Sequence, residues 1–537
     1  MRERPFFEPA CYIILPRLYW LNRQSLPGEL MKLLKKNKLI FGWLGLLGLI
    51  LAPVGAEEIG GKSTFAALPV IEKILKNGLR VLVVEQPGVP VVSFSFMQPV
   101  GAQDAPKGKT GLPHMLEHMM FKGTETIGTK DYKKEKPLLE KMDKVAEEMN
   151  LEKEKPQPSM DRLKTLADEM KKLQQEHHKI IVKDELSSIY TKNGGQSLNA
   201  WTSQDATNYH ITLPANKVLL YATVEKDRLT HPVFREFYSE RDVVAQERRW
   251  RTESSPDGKL EEALESTAFS ASAYKDPTIG WMSDIMKLTR LDAVEFYKRT
   301  YRPDRGVLAV VGGVKAAEVL PLLEKTLGTV PNPPVAPLVK EWTQEPPQAG
   351  ERTVKAEFDA DPVAMLAWHK PNFPNKEAVA LDVLSTILTK GNTSRLIKNL
   401  VFKSKMVTSV SCDTDFPGDR NQNLFIIQFS PAPKQTVEGV IAAIDRELLE
   451  IQKNGVTQEE LDRARRDAES SFLWGKTSTH GLAQDLAYNQ AVFGDWRLLL
   501  KYPEMIKALT SKDIQEAAAK YLISKNRTVA TLERPTK

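Results

Sequence analysis

The chain of 537 residues is poor in the groups from which most metal and redox sites are made. It has two cysteines, Cys11 and Cys412, and eight histidines. Two thiols cannot supply a disulfide framework or a four-thiolate zinc fold, so any metal must be held by histidine and carboxylate. A large excess of one charge is also lacking, with 75 Lys plus Arg against 69 Asp plus Glu. What is present is ordinary core-forming material, 41% hydrophobic and 27% charged residues, which excludes a disordered or fibrous chain. At a prior of about 150 residues per domain the length allows roughly two to four domains.

Residues 31–56 read MKLLKKNKLIFGWLGLLGLILAPVGA: a basic stretch (Lys32, Lys35, Lys36, Lys38), a 16-residue apolar run from 39 to 54, and small residues up to Ala56. This is the grammar of a secretory signal. The run contains Gly42, Gly45, Gly48 and Pro53 and falls short of the ~20 apolar residues that a membrane span prefers, so cleavage after Ala56 is expected. An internal start at Met31 would account for the long preceding stretch. The expected location is exported and periplasmic, with an inner-membrane anchor only if the segment is retained. Loss of 1–56 takes eight basic and three acidic residues from the totals and leaves 67 against 66. The basic excess was mostly the targeting segment, and a nucleic-acid partner is not expected.

Residues 70–100 alternate apolar and polar around Asn77-Gly78, predicting a strand, a turn and two further strands. A helix is expected from Gly111-Leu112-Pro113, where proline fits the first turn, to Lys122-Gly123. Within 133–180, Leu138, Met142, Val145 and Met149, then Leu163, Leu166, Met170 and Leu173, recur at spacings of three and four around Pro156 and Pro158. This predicts a helical hairpin whose charges are solvated faces. Its adjacent His177 and His178 point to different sides and make a poor ligand pair. Strand patterns follow at 197–215, 307–311, 353–358, 363–369 and 424–430, with long helices through 216–300 and at 375–390, 434–453, 457–472 and 511–521. The proline-rich 331–351 reads as a linker. Helices that cluster after strands favour an α+β fold of two similar halves, each a mixed, mostly antiparallel sheet packed against helices.

Two of the eight histidines lie at i and i+4 with a glutamate between them, His114-Met115-Leu116-Glu117-His118. On a helix both imidazoles share one face and can reach a single ion. Glu117 stands about 60° off that face, placed to act on a water without being a ligand, in the inverse of the common His-Glu-x-x-His order. The bland reading is a pair of hydrogen-bonded core histidines; the glutamate beside them favours the metal. A catalytic zinc needs a third protein ligand. The helix YSERDVVAQERRW offers Glu240 and Glu247, seven residues apart on nearly one face, and spacing alone does not choose between them.

The stretches NGLRVLVVEQ, GAQDAPKGKTGLPHMLEHMMFKGT, LNAWTSQDATNYHITLPA, ERDVVAQE and YRPDRGVLAVVGG, in that order, resemble the pitrilysin/insulinase family of zinc metallopeptidases, in its bacterial half-size, two-domain form. The resemblance covers 70–313 and, more loosely, GNTSRLIKNL and the last helices. It implies one Zn²⁺ per chain held by His114, His118 and Glu247, with Glu240 supporting the site and Glu117 as the general base. It implies domains at 65–325 (zinc-binding, with the 133–180 hairpin inserted) and 352–537 (homologous, non-catalytic), joined by 326–351. The hairpin accounts for the 128 residues between His118 and Glu247, more than the family usually has, and is expected to project outward without disturbing the site.

The reaction so implied is hydrolysis of peptides or unfolded protein segments by a metal-activated water, with no acyl-enzyme. Cys412 has no histidine near it in sequence and reads as a small buried residue. An extended peptide would add to the edge strand 197–202, near Asn199 and Ala200. Family pairs carry an Arg and a Tyr, seven apart, in the second half of the partner unit, and here Val401 and Thr408 occupy those places. A homologous non-zinc subunit supplying that pair is therefore expected, a fully active homodimer being the outcome that would exclude it. Two other readings remain: a catalytically silent structural subunit, and a processing peptidase with few substrates.

Overall fold

Valine-rich and aromatic runs build two sheets. The computed structural model describes residues 68–338, 342–475 and 477–535. The first sheet contains β1 (Val70–Ile74), β2 (Arg80–Glu85), β3 (Val91–Gln98), β4 (Gln196–Thr202), β5 (Thr207–Pro214) and β6 (Val307–Gly312), in the order β1-β2-β6-β3-β5-β4. The second contains β7 (Arg352–Glu357), β8 (Val363–Lys370), β9 (Val407–Phe416), β10 (Asn423–Pro431) and β11 (Arg527–Glu533), in the order β7-β11-β8-β10-β9. All pairings are antiparallel except β2 with β6 and β7 with β11. The second sheet thus repeats the first without β1, the last strand of each half entering second in the order. The α+β fold of two similar halves is what the strand and helix patterns imply.

Six helices position the functional residues and cover the sheets: α1 (Leu112–Met119), α2 (Tyr132–Lys153), α3 (Met160–His178), α4 (Phe237–Arg248), α5 (Pro256–Ala268) and α6 (Thr479–Phe493). The pair α2 and α3 forms a hairpin. Its helices start at Asp131 and Ser159, whose side chains accept from the backbone N–H of Lys134 and Arg162. Leu139, Met142, Val145 and Ala146 meet Leu166, Met170 and Leu173 in the core of the first half.

Both faces of each sheet are covered. Along β3, Phe94 and Phe96 face the helices of the first half, while Ser93 and Ser95 face the other way and are equally buried. The cover on that side is α6, from the second half. Ser93 Oγ lies 2.8 Å from Thr479 Oγ1, and Trp201 Nε1 donates to Gln484 Oε1 at 2.9 Å. Reciprocally, Leu260, Leu264 and Ala268 of α5 pack on Met365, Ala367, Leu424, Ile426, Ala530 and Leu532 of the second sheet.

The segment 197–215 resolves into two strands, because Ser203 N–H donates to Ala206 O and turns the chain. In the proline-rich stretch, Glu345 is buried and accepts backbone N–H bonds from Ser270, Ala271 and Ser272 at 2.9 to 3.0 Å. The signal-like residues 1–56 lie outside the described residues. No helix among the described residues is long and apolar enough to cross a membrane.

Candidate metal centre

Helix α1 is buried along its whole length, so its two histidines and its glutamate must find partners inside the protein. It starts at Gly111 with φ 80°, a left-handed conformation glycine adopts without strain. A Cβ there would stand 2.5 Å from Ile279 O, so the close approach of the 277–280 turn also requires glycine.

His114 and His118 extend from one face of α1, with ring centroids 4.8 Å apart. Glu247, near the end of α4, meets them: its Oε2 is 3.9 Å from His114 Nε2 and 3.5 Å from His118 Nε2. The ligand atoms of these three side chains all lie within 4.8 Å of one another. Two donor atoms bound tetrahedrally at about 2.0–2.1 Å would stand about 3.4 Å apart, so the trio is spaced for one zinc-sized ion rather than for direct hydrogen bonds. The donor set, two imidazoles and one carboxylate, is one that zinc accepts.

Of the two candidate glutamates, Glu247 faces both imidazoles and Glu240 stands behind one of them. Glu240 Oε1 is 2.9 Å from His118 Nδ1, and its Oε2 is 2.6 Å from Lys122 Nζ. A neutral imidazole that donates from Nδ1 has its lone pair on Nε2, the atom facing Glu247. Burial raises the Glu240 pKa, but the His118 and Lys122 contacts outweigh it and hold the carboxyl down at about 2. Glu247 is tied through Oε1 to Arg251 Nε at 3.0 Å. Burial drives the His114 pKa well below its ordinary value, with His118 and Arg251 adding to the effect, which favours the neutral form a ligand requires.

Glu117 is 3% exposed and accepts from Thr202 Oγ1 at 2.6 Å. Burial pushes its carboxyl up to about 7, against the opposing pull of His118 and Thr202. A carboxyl so placed takes and releases protons near neutrality. Asn199 and Ala200 lie on β4, the edge of the first sheet, opposite His210 and Tyr209 of β5. Ala200 is buried in the core and Asn199 is half-buried. Val401 lies in a wide turn at Ile397–Lys403 and packs on the core of the second half, and Thr408 lies on β9.

Thr202, Lys122 and Arg251 are not among the residues that the sequence motifs single out. Lys122 follows His118 by four residues and Arg251 follows Glu247 by four, a helical spacing that marks both as neighbours. Thr202 carries no such signal, lying 85 residues from Glu117.

Comparison with known proteins gives a consistent picture. A family model described as Insulinase (Peptidase family M16) matches residues 179–280, and one described as Peptidase M16 inactive domain matches 287–467. The first match contains Glu240 and Glu247; the hairpin separates it from His114 and His118. The zinc protease PqqE of Helicobacter pylori is 28% identical over 488 residues, 89% of this chain and 95% of that protein. The crystal structure of a protease from Helicobacter pylori aligns with TM-score 0.72 and 26% identity over 87% of this chain and 99% of that one. A Pseudomonas fluorescens structure described as a peptidase M16 inactive domain aligns at TM-score 0.68 and 15% identity, covering 87% and 98%. Two models of one family matched at 179–280 and 287–467, a relative matched over most of both chains and a shared fold lead to one conclusion: the chain belongs to the peptidase M16, or insulinase, family, as a half-size member built of two similar halves.

Proposed function

We propose that the chain is a zinc endopeptidase acting on peptides or unfolded protein segments. The observation that carries this reading is the convergence of His114, His118 and Glu247 within 4.8 Å, with buried Glu117 beside them. Those three residues would hold one Zn²⁺. Zinc, when bound, polarises a peptide carbonyl and acidifies water. Glu117, held by Thr202, takes the proton of the attacking water and delivers it to the leaving nitrogen. Glu240 keeps the His118 ring in the ligating tautomer, and Arg251 keeps Glu247 turned toward the imidazoles. β4, the edge strand of the first sheet, carries half-buried Asn199 beside buried Ala200 and is where an extended substrate would add as a further strand.

The test compares the wild type with Glu117→Gln for zinc content and for hydrolysis of a quenched peptide library. Equal zinc with activity down by 10²–10⁴-fold supports the mechanism. Equal activity overturns it.

A second reading, a catalytically silent subunit, is favoured by the description of the 287–467 match as an inactive domain. Val401 and Thr408, where the family's assisting Arg and Tyr would stand, support a division of labour between this chain and a homologous non-zinc subunit. Full activity of a purified homodimer would exclude that partner. The signal-like 31–56 supports export to the periplasm; sequencing the N-terminus of the exported protein tests it.

A further inference from the structure

The hairpin inserted between His118 and Glu247 ends in a buried ionic cluster at its base. Glu135 on α2 and Arg235 just before α4 are both fully buried side chains. Arg235 Nε donates to Glu135 Oε1 at 2.8 Å and Nη2 to Oε2 at 3.2 Å, while His177 Nε2 on α3 lies 2.8 Å from Oε1. One carboxylate thus joins both helices of the hairpin to Arg235.

The rest of the guanidinium faces the chain that leaves α1. It donates to Thr124 O at 2.6 Å, to Ile127 O at 2.8 Å and to Lys122 O. The loop is shaped around this group: Gly128 has φ 90°, and a Cβ there would stand 2.6 Å from Arg235 Nη1. Lys122, whose carbonyl is held, pairs its ammonium with Glu240, and Glu240 holds His118. A second tie lies two turns along α2, where Asp143 accepts from Tyr238 Oη at 3.0 Å in the first turn of α4. The hairpin therefore grips the end of the helix that carries both histidines and the start of the helix that carries both glutamates.

We propose that the α2–α3 hairpin is a brace for the metal centre, with Glu135 and Arg235 as positioning residues that act through Lys122 and Glu240 on His118. This rests on the zinc reading above. An insertion that only projected outward would need apolar contacts at its base. A buried carboxylate and guanidinium are expensive to desolvate and are poor evidence of simple stabilisation, whereas their hydrogen bonds fix geometry. Outer partners of metal ligands typically change affinity by 10–100-fold when removed.

The experiment measures zinc affinity of the full chain by chelator competition and the visible absorption of the cobalt-substituted protein, for wild type, Glu135→Gln and Leu166→Ala. Leu166 is a buried core residue of the hairpin, so its truncation costs packing but removes no member of the Glu135–Arg235–His177 cluster through which the brace acts. Glu135→Gln is expected to weaken zinc by 10-fold or more and to shift the cobalt bands, while Leu166→Ala lowers the melting temperature and leaves both unchanged. Zinc affinity of Glu135→Gln within twofold of wild type overturns the brace, as does an equal loss in Leu166→Ala. If Glu135→Gln does not fold, His177→Gln, which leaves the Arg235 pair in place, takes its role with an expected loss of at least threefold, and no loss overturns the proposal. Wild type that takes up no zinc sinks the peptidase reading itself, a result distinct from wild type that binds zinc alongside an equally competent Glu135→Gln.

Discussion

The Nδ1–H of His118 donates to Oε1 of Glu240 across 2.9 Å, and the other oxygen of that carboxylate holds Lys122. One glutamate thereby sets the tautomer of the His118 ring and neutralises a nearby cation. Glu240→Gln keeps the volume and loses the charge. Zinc affinity is expected to fall by about 10–100-fold with the fold intact, read by chelator competition and by circular dichroism. Unchanged affinity would show that His118 is oriented by packing alone.

Gly111→Ala tests the entry to α1. The residue has φ 80°, and the new methyl would meet Ile279 O, so both conformation and space oppose it. A loss of at least about 1–3 kcal/mol is expected from strain of this kind. Thermal unfolding measures it; a melting temperature equal to that of wild type counts against the tight approach of the 277–280 turn.

In the second half, Arg395 donates Nε and Nη2 to the two oxygens of Glu460 at 2.6 and 2.7 Å. Burial raises the Glu460 pKa, but the Arg395 and Thr457 hydrogen bonds outweigh it and bring the carboxyl down to about 2 from 4.5. A depressed carboxyl stabilises the fold fully above its unfolded pKa. That contribution is lost as pH falls from about 4.5 toward 2. Glu460→Gln should cost about 2 kcal/mol at pH 7 and progressively less below pH 4.5, in denaturant titrations at several pH values. A pH-independent difference would assign the effect to packing.

Burial pushes the Cys412 thiol up to about 12. A thiol so protonated reacts slowly. Peptide mapping after iodoacetamide at pH 8 is expected to find Cys412 largely unmodified in the native chain and fully modified in denaturant. Rapid native labelling would reopen the question of a reactive thiol in the second half.

Local signals are legible where both partners of an interaction lie within a turn or two of each other. Helix Ser511–Tyr521 was legible to the residue because Thr510 and Asp513 form a reciprocal cap at its start. The spacing of His114 and His118 marks them as a pair on one face, while nothing in the spacing of Glu240 and Glu247 says which of them the structure brings within 4.8 Å of both imidazoles. The hairpin was legible from its apolar period, but its role was not: Glu135 and Arg235 are 100 residues apart, and nothing in either neighbourhood announces the other. The alternation Ser93-Phe94-Ser95-Phe96 describes a strand with one wet face, yet both serines are buried under a helix nearly 400 residues downstream. The sequence patterns predict neither β9 nor β11, and β11 completes the second sheet from the far end of the chain by pairing with β7 and β8.

Because α6 roofs the first sheet and α5 roofs the second, neither half owns all of its hydrophobic interior. A fragment ending in the proline-rich 331–351 would leave Ser93, Ser95 and their neighbours bare, and its complement would expose Met365, Leu424 and Leu532 to water. Separate expression of the halves should therefore give aggregating pieces. Proteolytic nicking of the folded chain in that stretch should leave a complex that stays together and melts in one transition. The stretch that reads as a tether between two modules is therefore expected to behave as a seam within one cooperative body.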